Sequence, residues 1–204
     1  MKFEDKQKIN NFYNEKFATY GRDIRSVGWG KKEDQSLRFE VLLRNIDLRG
    51  KTILDVGCGL GDLVGFLDEK WGANYKYIGI DLSENLITDA RKHWKQHEFI
   101  MGDIFSVDLP NSIDVSVLSG ALTYKIEDNE SYARKCMGKM LEISKEAACL
   151  NFMTTYVDFT IEKNHHYSPE TMFKCAKALT PRVNLIHDYP LWEFTIQMLK
   201  VSKM

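Results

Sequence analysis

Residues Thr52–Asp62 read T-I-L-D-V-G-C-G-L-G-D, and no other stretch limits the fold so tightly. Ile53, Leu54 and Val56 make a short apolar run suited to a buried parallel strand. Gly57, Gly59 and Gly61 follow at alternate positions. Beyond them Leu63, Val64, Phe66 and Leu67 occupy one face of a helix that opens at Asp62. Strand, glycine turn and helix form the opening unit of an α/β fold that binds ligands beyond the carboxyl end of its first strand. Glycines serve there because the chain turns sharply and a ligand must approach the backbone without Cβ atoms in the way.

Spacing narrows the ligand. A dinucleotide fingerprint has the form G-x-G-x-x-G, with pyrophosphate on the helix N-terminus. Here the pattern is G-x-G-x-G, and Asp62 stands where the third glycine of that fingerprint belongs. A carboxylate at the helix mouth repels pyrophosphate and suits a positively charged ligand without phosphate. Asp55 adds a second carboxylate at the strand's end. The nine residues Ile53–Gly61 resemble motif I of the class I S-adenosylmethionine-dependent methyltransferases. That resemblance implies a three-layer α/β/α sandwich. Its mostly parallel seven-stranded sheet would close with an antiparallel C-terminal hairpin, and S-adenosyl-L-methionine would be the co-substrate. The backbone of Gly57, Cys58, Gly59 and Gly61 would pass along the methionine part of the donor, with Asp55 ordering either water or the donor's amino group.

With 204 residues, a single domain spanning 1–204 is expected, with 1–48 as an N-terminal helical cap. The formal net charge of −1 steers the chain to neither nucleic acid nor anionic membranes. Cys58, Cys136, Cys149 and Cys175 form no C-x-x-C pair and have no histidine at metal spacing, so reduced thiols and no metal are expected. The charged N-terminus and the lack of a long apolar run suggest a cytoplasmic protein. Monomer and homodimer both stay open.

Ile9, Phe12, Tyr13, Phe17 and Tyr20 recur at helical spacing, which predicts an amphipathic helix over 4–19 ended by Gly21. A second helix runs from Lys32 to about Asn45. Between them Trp29 stands between two glycines. Its ring either closes over a sulfonium or plugs a gap between cap and body. Arg25 and Arg38 are candidates to meet a ligand carboxylate.

Further candidates lie at strand tips. Asp81 ends the second strand 20 residues after Gly61, where a carboxylate can accept both ribose hydroxyls of an adenosine. Leu82 would lie beside the adenine, and Ser83 caps the next helix. By the resemblance, Asp103 would take the adenine amino group and Ile104 would serve the ring. The fourth strand, over 113–120, reaches Ser119-Gly120 beside the donor, and Ala121–Tyr124 follow at the reaction centre. Methyltransferases of exocyclic base amines carry Asn/Asp-Pro-Pro-Tyr at this place. Ser-Gly-Ala-Leu stands there instead, which disfavours such acceptors.

His165 and His166 follow the fifth strand and are the candidate general bases, with Tyr124 as a third catalytic candidate. Strands over 183–187 and 193–200, joined by a short turn, predict the terminal hairpin. The reading is methyl transfer from S-adenosylmethionine to oxygen or nitrogen of a small molecule. The alternatives are a non-catalytic S-adenosylmethionine-binding protein and an NAD-dependent oxidoreductase, which Asp62 opposes.

Overall fold

A computed structural model describes residues 1–201. Its elements are α1 (Phe3–Tyr20), a 3-10 turn (Ile24–Val27), α2 (Lys32–Leu42), β1 (Thr52–Val56), α3 (Asp62–Trp71), β2 (Lys76–Asp81), α4 (Glu84–His93) and β3 (Glu98–Met101). There follow β4 (Val115–Leu118), α5 (Asn129–Ile143), β5 (Ala147–Met153), α6 (Pro169–Leu179), β6 (Arg182–Ile186) and β7 (Glu193–Leu199).

The strands form one sheet of order β3-β2-β1-β4-β5-β7-β6. β1 to β5 pair in parallel, and β7 runs antiparallel to both β5 and β6. The sheet is the mostly parallel seven-stranded one, with its antiparallel C-terminal hairpin. Side chains alternate across it, as the two-residue period of a strand requires. Leu54, Ile78, Leu118 and Phe194 enter one core with Met137 and Met140 of α5. Ile53, Tyr77, Val115 and Cys149 enter the other with Leu63, Val64 and Leu67 of α3. Each such aliphatic or aromatic side chain contributes about 1.5–3 kcal/mol by leaving water.

Helix starts follow local chemistry. Ser83 Oγ accepts from Leu86 N at 3.2 Å, and Ser168 Oγ accepts from Thr171 N at 3.1 Å with Pro169 in the first turn. α2 stops at Leu42, short of the expected Asn45, because Asn45 takes φ +63°. β4 spans 115–118 and not 113–120, since Gly120 turns the chain at φ +78°.

Sheet order reverses between β1 and β4, the place where an open α/β sheet leaves a crevice at its carboxyl edge. α1 lies over that edge. Ser83 Oγ donates to Asn14 Oδ1 at 2.7 Å, and the Phe12 and Tyr124 rings stand 5.3 Å apart. α2 is tied to β7, where Gln197 Nε2 donates to Leu42 O at 3.1 Å and Arg44 O at 2.9 Å.

Candidate functional site

A cavity of about 650 Å³ fills the crevice above β1, β2 and β4. Its floor is the glycine turn. Gly57 N and Cys58 N both donate to Ile80 O, at 2.8 and 3.0 Å, so the turn is bolted to β2. Gly57 has φ +75°, and a Cβ there would run into the Ala121 Cβ. Gly57, Cys58 and Gly59 all line the cavity. Gly61 does not. A Cβ on Gly61 would stand 2.9 Å from the Phe99 and Trp94 rings, so this glycine serves packing between α3, β3 and α4.

Carboxylates dominate the polar lining. Asp55 is buried, and its Oδ2 accepts from Tyr77 Oη at 2.7 Å. Its Oδ1 is buried and has no hydrogen-bond partner. Burial pushes the Asp55 carboxyl up to about 7, with Asp81 and Asp62 adding to the rise and the Tyr77 hydroxyl opposing it. Asp81 accepts from Gly59 N at 2.9 Å and Ser83 N at 2.8 Å, one bond to each oxygen. Burial raises Asp81, and those amides hold the rise back. A carboxylate has about four lone-pair sites, so Asp81 keeps acceptor capacity toward the cavity. Asp62 Oδ2 accepts from Gln35 Nε2 at 3.0 Å.

Asp103 lines the cavity beside Ile104, with Leu82 on the neighbouring tip. Phe105 N donates to Asp103 Oδ1 at 2.8 Å, and the Lys6 ammonium of α1 pairs with Oδ2. Burial alone would raise Asp103, but the Lys6 hydrogen bond, the Phe105 amide and the Lys6 charge outweigh it and bring the carboxyl below its usual value. An α1 cation thus already sits on the carboxylate expected to take the adenine amine.

At the other end Arg38, Glu193 and Asn151 form a buried network. Arg38 Nε donates to Glu193 Oε2 at 2.6 Å, and its second nitrogen pairs with Oε1. Asn151 Nδ2 donates to Glu193 Oε2 at 2.6 Å, while Gly120 N donates to Asn151 Oδ1 at 2.8 Å. Arg38 also lies over the Trp29 ring, 3.8 Å from its centroid. The cation on Trp29 is therefore Arg38, and Trp29 is both plug and cavity wall. Arg38 and Trp29 line the cavity with Ser119 and Gly120, and a Cβ on Gly120 would stand 2.5 Å from one Arg38 nitrogen. Arg25 lies elsewhere, paired with Asp23 at 2.8 Å on the surface.

Tyr124 faces the cavity from a clamped loop. Tyr167 Oη donates to Leu122 O at 3.0 Å, His165 N to Thr123 O at 2.8 Å, and Asn129 Nδ2 to Tyr124 O at 2.9 Å. Lys125 N donates to Lys163 O at 2.7 Å, and Ile126 N to Asn129 Oδ1 at 2.9 Å. The same segment carries the expected bases. The 154–168 segment lies on the 122–126 loop by backbone pairing, and neither imidazole lines the cavity. His166 Nδ1 bonds Thr154 O at 2.8 Å, and the His165 ring packs edge-on to Tyr167 at 4.5 Å. Burial lowers the His165 pKa.

Several site residues escaped the sequence reading. Gln35, Glu193, Asn151 and Lys6 act through partners far along the chain. Gln35 and Arg38 stand three apart on α2, so two buried polar groups on one helix face were the signal available. Tyr13 also lines the cavity, its phenol pushed up to about 12 by burial, with the Asp81 charge adding to the rise.

Comparison with known proteins decides the family. Residues 47–186 match the family model described as a methyltransferase domain. The chain belongs to the class I S-adenosylmethionine-dependent methyltransferases. It is 29% identical over 161 residues to a putative methyltransferase of Mycobacterium tuberculosis, covering 74% of this chain and 94% of that one. It is 27% identical over 124 residues to the demethylmenaquinone methyltransferase of Lactococcus lactis, covering 58% of this chain but only 48% of that relative. In fold it resembles the magnesium protoporphyrin IX methyltransferase of Synechocystis PCC 6803, solved with bound S-adenosylhomocysteine, at TM-score 0.69 and 13% identity over 96% of this chain and all of that one. Membership sets the NAD-dependent alternative aside, and the methyl donor of this methyltransferase is S-adenosylmethionine. The lining fits that donor. A glycine cradle, a half-satisfied buried carboxylate at Asp55 and a strand-tip carboxylate at Asp81 match a cationic, phosphate-free nucleoside. Among the described residues no helix is long and apolar enough to cross a membrane.

Proposed function

We propose that this methyltransferase alkylates an oxygen or nitrogen of a small-molecule acceptor held between Tyr124, Met153 and the turn before β7. One observation carries the reading. The cavity runs without a break from the glycine cradle to this second group of lining residues, which includes Leu191 and Asn164. An acceptor there would share one continuous space with the donor.

Within this reading Asp81 holds the ribose hydroxyls, Ile104 and Leu82 flank the adenine, and Asp103 exchanges Lys6 for the adenine amine or keeps both. The Gly57–Gly59 backbone runs along the methionine part. Asp55 receives the donor's amino group on its unpartnered oxygen. Arg38 has two nitrogens on Glu193, and the third, beside Gly120, is available to a carboxylate. Bound S-adenosylmethionine supplies an activated methyl group, so the protein's task is chiefly orientation of the acceptor. Tyr13 and Tyr124, two of the phenols lining the cavity, orient the acceptor's reacting atom through hydrogen bonds. Residues 1–48 act as the cap that selects the acceptor, within one domain.

A second reading, donor binding without transfer, draws support from the position of His165 and His166 outside the cavity lining. Incubation with methyl-labelled S-adenosylmethionine and a panel of phenols, catechols and aryl amines separates the two. Label in any acceptor supports transfer. Binding of S-adenosylhomocysteine without label in any acceptor favours the second reading.

A further inference from the structure

Resting on the transfer reading above, we propose that the acceptor bears an apolar extension that leaves the cavity between the 154–168 segment and the turn before β7, lying on Ile161 and Trp192.

The argument begins with what the acceptor wall has left to offer. Across 122–126, the clamp bonds the carbonyls of Leu122, Thr123 and Tyr124 and the amides of Lys125 and Ile126 within the protein. A wall whose backbone polar groups are already engaged recognises a ligand through side chains. Toward the mouth the apolar ones are Met153, Pro190 and Leu191, then Ile161 and Trp192, with Lys163 and Asn164 beside Ile161.

Exposure separates the last two from the rest. Trp192 is 65% exposed and Ile161 is 45% exposed, yet both line the cavity. They belong to different segments that meet through Phe159, whose ring stands edge-on to Trp192 at 4.7 Å. The rim therefore carries two apolar side chains that line the site and also reach water. Isolated apolar side chains on a surface need no explanation, but a contiguous patch continuous with a cavity marks a binding surface. Lys163, two residues beyond Ile161, also lines the cavity, with its ammonium over the Phe12 ring of α1 at 5.0 Å.

An alkyl chain joined to a compact reacting head is the chemistry this passage fits. A purely polar acceptor would leave both side chains in water and gain nothing from them. A fully buried methylene strengthens binding by about fourfold, ~0.8 kcal/mol. A chain resting on one wall buries roughly half its surface, so about twofold per methylene is expected.

The test uses the full chain saturated with S-adenosylhomocysteine, which fills the donor half. Para-ethylphenol through para-hexylphenol are titrated by calorimetry against the wild type and against a Trp192→Ser, Ile161→Ser double variant. The inference expects affinity to rise about twofold with each methylene in the wild type. It expects the rise to flatten in the double variant while S-adenosylhomocysteine affinity is unchanged. A flat series in the wild type, or an equal slope in the double variant, overturns it and leaves the transfer reading standing. A flat series with a wild-type dimer that the double variant loses shows that a second copy covers the patch, which also overturns it. Failure of S-adenosylhomocysteine to bind removes the donor site beneath both readings.

Discussion

The Tyr77 phenol donates to one oxygen of Asp55 at 2.7 Å and leaves the other buried without a partner. A carboxylate served on one side only is costly to ionise, and burial holds Asp55 at about 7, well above the ordinary 3.8. A raised acid favours the folded state below its unfolded value and loses that contribution as pH rises through the folded one. Asp55 should therefore draw down stability between about pH 4 and 7, by a few kcal/mol at most. Asp103, held low by Lys6, acts in a separate window, since its contribution is lost only as pH falls below the usual carboxylate range. Urea midpoints of the wild type should drop across the Asp55 window. Those of Asp55→Asn should drop much less.

Arg38 and Glu193 lie 155 residues apart in sequence and are both buried. Loss of one partner strands a buried charge, at a cost of about 3–5 kcal/mol. Arg38→Met and Glu193→Leu should each approach that loss. The double variant should lose clearly less than the sum, because no charge is left alone. Denaturant midpoints for the four proteins check this, and additive losses would contradict it.

Gly57 and Gly61 share φ +75° but meet different neighbours. A side chain in this conformation costs about 1–2 kcal/mol before any clash. Gly61→Ala should lower stability by pressing on Trp94 and Phe99, with S-adenosylhomocysteine affinity nearly unchanged. Gly57→Ala pushes the cavity floor toward Ala121 and should weaken that affinity by roughly tenfold, about 1.4 kcal/mol. Paired melting and calorimetry separate the two effects.

Tyr167 is 1% exposed, and its hydroxyl holds Leu122 O on the loop that carries Tyr124 into the cavity. Tyr167→Phe removes two hydrogen bonds, the one donated to Leu122 O and the one accepted from Asn129 Nδ2, about 1–3 kcal/mol together. If the clamp positions the acceptor wall, kcat should fall while donor affinity holds. A loss of stability alone, with kcat intact in the folded protein, would make Tyr167 merely structural.

The parts legible in the sequence are those set by neighbours along the chain. Strand, glycine turn and helix at 52–71 are fixed by an apolar run and three glycines, and Asp81 by its place at the next strand tip. The alternation in 193–199 and the turn before it announced the hairpin. What stayed hidden depends on contacts across the chain. Nothing near Arg38 indicates that Glu193 takes two of its nitrogens, or that its plane covers Trp29. His165 and His166 follow β5 on the correct edge of the sheet, yet the segment folds onto residues 122–126 and draws both rings away from the cavity lining. Gly61 belongs to the motif, but Trp94 and Phe99, more than thirty residues on, give it its role.

The central claim is a donor site built from the glycine cradle and Asp81. Calorimetric titration of S-adenosylhomocysteine into the wild type and Asp81→Asn tests it most directly. The account predicts saturable micromolar binding to the wild type and an affinity at least about tenfold weaker, ~1.4 kcal/mol, in the equally folded variant. No binding to the wild type, or equal affinity in the two proteins, would contradict it.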